Sequence, residues 1–140
     1  MDLFTAAVED ISFDDVRKFV STAMTDRLQA ESRALEFKRE NNRDNVAKAV
    51  AALTNTDGGL VIVGVDEEAA DPLVGVDRVG HDAVVSNLRL RLPDAMPEVI
   101  SIAVPDRDRL LLILRVDPDL ALLPVVLDGR VLTRIPGGSA

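Results

Sequence analysis

The run Leu60, Val61, Ile62, Val63, which directly follows Asn55-Thr56-Asp57-Gly58-Gly59, restricts the fold more than any other part of this chain. A strand with one face in water alternates apolar and polar residues, whereas four consecutive aliphatic side chains belong to a central strand covered on both faces. The two glycines in front of it can take positive φ without the clash a Cβ would bring, so a helix can end and a strand begin within a few residues. The chain is therefore read as one α/β domain with this strand at its core, since 140 residues are too few for two ordinary domains.

The other elements are read outward from that strand. Ser12 and Asp15 have the spacing of a capping box, and Phe13, Val16, Phe19, Val20 and Ala23 fall on one face, which predicts a helix from Ser12 to about Met24. Residues 1–28 are read as a leader helix that packs on a domain formed by residues 29–140. From Ala34 to Lys38, Leu35 and Phe37 alternate with Glu36 and Lys38, the pattern of a half-buried strand. Asn42 or Asp44 can cap a second helix, in which Val46, Ala49, Val50 and Leu53 recur at helical spacing. After the acidic loop Asp66 to Asp71 come a short strand around Leu73 to Val76 and a third helix from Asp82 to Leu92, closed by Pro93. Val99–Val104 and Leu110–Val116 read as a hairpin, and a second hairpin spans Pro124 to Ile135 through the turn Asp128-Gly129. The final Gly137-Gly138-Ser139-Ala140 reads as part of a linker.

Composition narrows the functional classes. The chain has no cysteine and one histidine, so a metal would be held by oxygen ligands or by His81, and a zinc site is not expected. No stretch approaches the roughly 20 apolar residues of a membrane span, and the amino terminus carries acid where a secretory signal carries Lys or Arg, so a cytoplasmic location without membrane contact is expected. A net charge of -8 opposes indiscriminate polyanion binding, because affinity for phosphates comes largely from Lys and Arg displacing counterions. With four Phe and neither Trp nor Tyr, base stacking is a poor basis for binding too. Any nucleic-acid contact must be local and directed at shape and backbone.

Three blocks in order resemble the Schlafen/AlbA-like family: Glu31-Ser-Arg-Ala-Leu-Glu36-Phe-Lys38; Ala52-Leu-Thr-Asn55-Thr56-Asp-Gly58-Gly59-Leu-Val-Ile-Val-Gly64-Val65-Asp66; and Gly129-Arg-Val-Leu-Thr-Arg134. The resemblance implies a mixed β-sheet flanked by helices, an α+β arrangement, and a role in binding DNA or structured RNA. Some members are metal-dependent endoribonucleases with three carboxylates, which fall here on Glu31, Glu36 and Glu67, with Asp66 competing for the third place. The implied cofactor is Mg2+ or Mn2+. Hard cations take oxygen ligands, lower the pKa of a bound water and neutralise charge developing on phosphate. A spacing of five residues would put Glu31 and Glu36 on opposite faces of a regular strand, so their convergence requires a bend or a helix end before Ala34. Two-lobed members of the family pair similar domains, which suggests a homodimer here, with the apolar Leu110–Val116 region as a candidate contact.

The basic residues that could meet phosphates are Arg33, Lys38, Arg39, Arg43 and Lys48 and, from the last block, Arg134, which can alternatively pair with one of the acids. Set against this is the plain reading that these charges are solvated surface residues and ion pairs. Asn55, Gly58 and Gly59 are read as a structural turn, because the order helix, turn, strand is the reverse of a phosphate loop. His81 is read as a surface or capping residue at the start of the third helix. A regulatory or dimerisation module without nucleic-acid affinity is the remaining alternative.

Overall fold

The computed structural model describes residues 1–26, 34–39, 43–135 and 138–139. The two most aliphatic segments, β2 (Gly59–Val63) and β4 (Leu110–Val116), form the middle of a four-stranded sheet. β1 (Leu35–Lys38) and β3 (Glu98–Ala103) are its edges, in the order β1-β2-β4-β3. β1 runs parallel to β2, with Leu35 opposite Leu60 and Lys38 opposite Val63, while β4 is antiparallel to both β2 and β3. The sheet is thus mixed, as expected. Its one parallel pair is joined by the crossover helix α2 (Arg43–Thr54).

Layers of helix on both faces explain the absence of alternation in the two inner strands. Val61, Val63, Leu112 and Leu114 pack with Val46, Val50 and Leu53 of α2 and with Val84 and Leu88 of α3 (Arg78–Arg91). The opposite face carries Leu60, Ile62, Ile100, Leu111 and Ile113, covered by Val16, Val20 and Ala23 of α1 (Phe13–Thr25) together with Leu3. α1 starts where its cap predicts. The Ser12 amide and hydroxyl both donate to the Asp15 carboxylate, at 2.9 and 2.8 Å, and the Asp15 amide donates back to the hydroxyl at 3.2 Å.

The turn before β2 needs its glycines for close approach. A Cβ on Gly59, at φ 151°, would lie 2.3 Å from the Ala34 carbonyl oxygen, which accepts the Leu60 amide at 3.0 Å. A Cβ on Gly58 would lie 2.5 Å from the Val116 carbonyl oxygen. Asn55 anchors the far end of the chain. Its amide donates to the carbonyls of Val125 and Leu132 at 2.7 and 3.0 Å, and its oxygen accepts the Val125 amide at 2.6 Å. The turn Asn55, Gly58, Gly59 is structural on these contacts. It fastens the arm that carries the short hairpin β5 (Val126–Leu127) and β6 (Arg130–Val131) around Asp128-Gly129, followed by the pair β7 (Arg134–Ile135) and β8 (Gly138–Ser139).

Three expectations are corrected. Leu73–Val76 is not a strand: Gly75 turns the backbone to φ 70°, and of this segment Val76 alone bridges to Leu110. α3 begins at Arg78 rather than Asp82, because the Asp77 carboxylate caps it by accepting the Gly80 amide at 2.6 Å. Leu110–Val116 is an inner strand with Leu111 to Leu114 fully buried, so it offers no outward contact to a second copy. Among the described residues, no helix is long and apolar enough to cross a membrane.

Candidate nucleic-acid interface

β1 and β2 end side by side, and α2 is the next described element after β1. Ligands of open α/β sheets gather at such carboxyl ends. A cleft of about 460 Å³ lies there, lined by Phe37, Lys38 and Arg39 from the end of β1, Asn45 from the first turn of α2, and Val65, Asp66, Glu67 and Glu68 from the loop after β2. The positive end of the α2 macrodipole therefore borders the cleft. Lys48, exposed one turn beyond Asn45, continues the same helix face.

The charges of the cleft are organised in pairs. Arg39 has a half-exposed side chain whose Nη2 donates to Asp66 Oδ1 at 3.0 Å and to Glu68 Oε2 at 3.2 Å. Asp66 Oδ1 also accepts the Glu68 amide at 3.1 Å, and the Asp66 amide donates to the Pro72 carbonyl at 2.9 Å, so the acidic loop folds back on itself around Arg39. Lys38 Nζ lies 3.6 Å from Glu36 Oε2.

Glu36 projects from the side of β1 opposite Leu35 and Phe37, as the alternation predicts, and its carboxylate lies beneath the chain's last arm. Arg134 Nε approaches Glu36 Oε1 to 3.4 Å, and both side chains are only 9% exposed. That nitrogen is buried and makes no hydrogen bond of good geometry. The Arg134 amide donates to Thr56 Oγ1 at 3.0 Å, which ties this arm to the Asn55 turn. Of the two roles open to Arg134, pairing with an acid is the one seen.

The expected site residues are thus brought together in part. Lys38, Arg39, Asp66 and Glu67 share the cleft, while Glu36 reaches it through Lys38. Glu31 and Arg33 lie outside the described residues, as does the side chain of Arg43, and the possible cap Asn42 lies outside them as well. Among the described residues no three His, Asp or Glu side chains are grouped so as to hold a metal ion. Ala34, the residue before β1, has φ 57°, a left-handed conformation that non-glycine residues seldom adopt.

Two participants were not singled out from the sequence. Asn45 and Glu68 carry no motif, and the signal that could have found Asn45 is the junction of β1 with α2, which has the strand-to-helix order that the Asn55 turn lacks. His81 is neither a cap nor a plain surface residue. One ring nitrogen, Nε2, lies 2.7 Å from Ser101 Oγ and the other, Nδ1, 2.9 Å from Asp82 Oδ1, so it joins α3 to β3 with only 15% of its side chain exposed. At the end of the acidic loop, Arg17 of α1 forms a forked pair with Asp71, each bond 3.2 Å. This pair and the Leu73 amide hold the Asp71 carboxyl below the usual carboxylate range.

Comparison with known proteins agrees with this architecture. The crystal structure of the DIP2311 protein from Corynebacterium diphtheriae superposes with a TM-score of 0.57 at 19% identity, covering 89% of this chain and 27% of that one. The likeness is one of fold, and the chain spans about a quarter of that protein's length. No curated protein matches the sequence. The family model described as Schlafen, AlbA_2 matches residues 31–139 and so takes in the whole sheet, α2, α3 and the terminal arm. The chain belongs to the Schlafen AlbA_2 family.

Proposed function

We propose that this domain binds nucleic acid, DNA or structured RNA, through its phosphate backbone. Lys38 and Arg39 are the contacts at the cleft, joined by Arg33 and Arg43 from the flanking segments. The observation that carries this reading is the placement of two adjacent cations at the carboxyl end of β1, beside the amino end of α2, where side-chain charge and helix dipole act on an anion together. A chain with 24 acidic and 16 basic residues repels polyanions elsewhere on its surface, which confines binding to this place. Arg134, held against Glu36, positions β1 rather than touching phosphate.

The test is binding to transfer RNA and duplex DNA across a salt series. Each phosphate neutralised contributes about 0.9 to the slope of log affinity against log salt on duplex DNA, so two to four contacts give a slope of about 2 to 4. Lys38→Ala and Arg39→Ala should each lower it by about one. A flat salt response for the unaltered protein overturns the reading in favour of a regulatory or dimerisation module.

A metal-dependent endoribonuclease is the second reading, supported by the left-handed conformation of Ala34, which breaks extended backbone between Glu31 and Glu36. The described acids do not themselves fit such a centre. Glu36 sits between two cations, and Arg39 holds Asp66. Cleavage of structured RNA with Mn2+ that survives Glu36→Ala unchanged removes this reading.

A further inference from the structure

Arg39 offers a half-exposed guanidinium at the rim of the cleft, but its Nη2 is already engaged by two acids. The two acids that engage it differ in kind. Asp66 is part of the loop framework: its side chain is 27% exposed, and it accepts the Glu68 amide as well as Arg39. Glu68 is 87% exposed, and among the described residues its carboxylate meets Arg39 alone, through the same Nη2 that serves Asp66.

We infer that Glu68 is a tethered competitor for phosphate at Arg39, occupying the guanidinium edge that a backbone phosphate takes and swinging outward when nucleic acid binds. The inference rests on the phosphate-binding reading of the cleft. Carboxylate and phosphate oxygens are alternative partners for the same guanidinium donors, so a phosphate that takes the Nη2 hydrogen now on Glu68 displaces that carboxylate. A solvent-exposed pair is weak enough to be displaced and lowers affinity by about fivefold at most. A carboxylate fixed on the adjoining loop nevertheless acts at an effective concentration in the millimolar range. Inorganic phosphate or a mononucleotide must beat that competitor with a single anion, whereas a polynucleotide brings several phosphates at once. Glu68 thereby biases the site, within that same factor, towards a phosphodiester backbone over a free phosphate or nucleotide.

The experiment titrates the full chain with fluorescently labelled transfer RNA, using Glu68→Gln in the parent and in an Arg39→Ala background. In the parent background Glu68→Gln should tighten binding two- to fivefold and make the salt dependence steeper, and in the Arg39→Ala background it should change nothing. An equal gain in both backgrounds means general relief of charge repulsion and overturns the competitor role, as does unchanged or weaker binding by Glu68→Gln. Salt-independent binding by the parent overturns the phosphate reading and this inference together.

Discussion

Removing the Asn55 side chain tests how the terminal arm is held. Asn55→Ala deletes three hydrogen bonds and leaves the amide and carbonyl of buried Val125 and the carbonyl of half-buried Leu132 without their partners. A typical bond contributes about 1 kcal/mol net, and a buried group left unpaired costs about 1 to 3 kcal/mol. Because Leu132 can regain water, the sum is about 3 kcal/mol. With a urea dependence of about 2 kcal/mol per molar, the unfolding midpoint should fall by about 1.5 M. Asn55→Asp separates this mechanism from a simple loss of packing: it keeps the acceptor but turns a second oxygen towards the Val125 and Leu132 carbonyls, so it should be at least as damaging as alanine. Amide hydrogen exchange should show the largest loss of protection at the β5-β6 hairpin. A midpoint shift below about 0.3 M for Asn55→Ala, or an aspartate variant as stable as the parent, refutes the clamp.

Three further outcomes can be checked on the same protein. Ser12→Ala removes the capping box of α1 and should cost about 1 kcal/mol, read as a melting temperature a few degrees lower; an unchanged value contradicts the cap's role. Arg134→Met removes one of the two cations beside the nearly buried Glu36 carboxylate and should cost about 1 to 3 kcal/mol in urea unfolding, part of which returns on adding Glu36→Gln; a silent Arg134→Met refutes the pairing. Because the Asp71 carboxyl is held below its ordinary pKa in the folded state, the stability it contributes is present above about pH 4 and disappears as pH falls through the folded value. The melting-temperature difference between the parent and Asp71→Asn should accordingly shrink below pH 4, and a constant difference down to pH 2 argues against the Arg17 pair as its source.

The elements readable from sequence are those whose signal is local. Leu60 to Val63 announces an inner strand because neither face requires a polar residue, and Ser12 with Asp15 announces a helix start because both partners of the cap lie within one turn. The start of α3 was missed because Gly80 and His81 interrupt the apolar period, while the cap that decides it, Asp77, precedes them. Leu73 to Val76 has strand composition, but Gly75 takes a turn that composition does not record. At the site, the alternation in β1 correctly sends Glu36 away from Leu35. Its pairing with Arg134 across almost the whole chain, and that of Arg39 with Asp66 and Glu68, leave no periodic trace, because ion pairs depend on where the backbone returns rather than on spacing.

The first helix gives the family assignment a practical edge. The match begins at residue 31, yet Leu60, Ile62, Ile100 and Ile113 are shielded from water by Leu3, Val16 and Val20, which precede it. A protein trimmed to the matched span would bare a broad aliphatic sheet surface, and such a surface aggregates or recruits chaperones. Fragments of this protein used in binding assays should therefore begin at Met1, or an apparent affinity will report adhesion of an uncovered sheet.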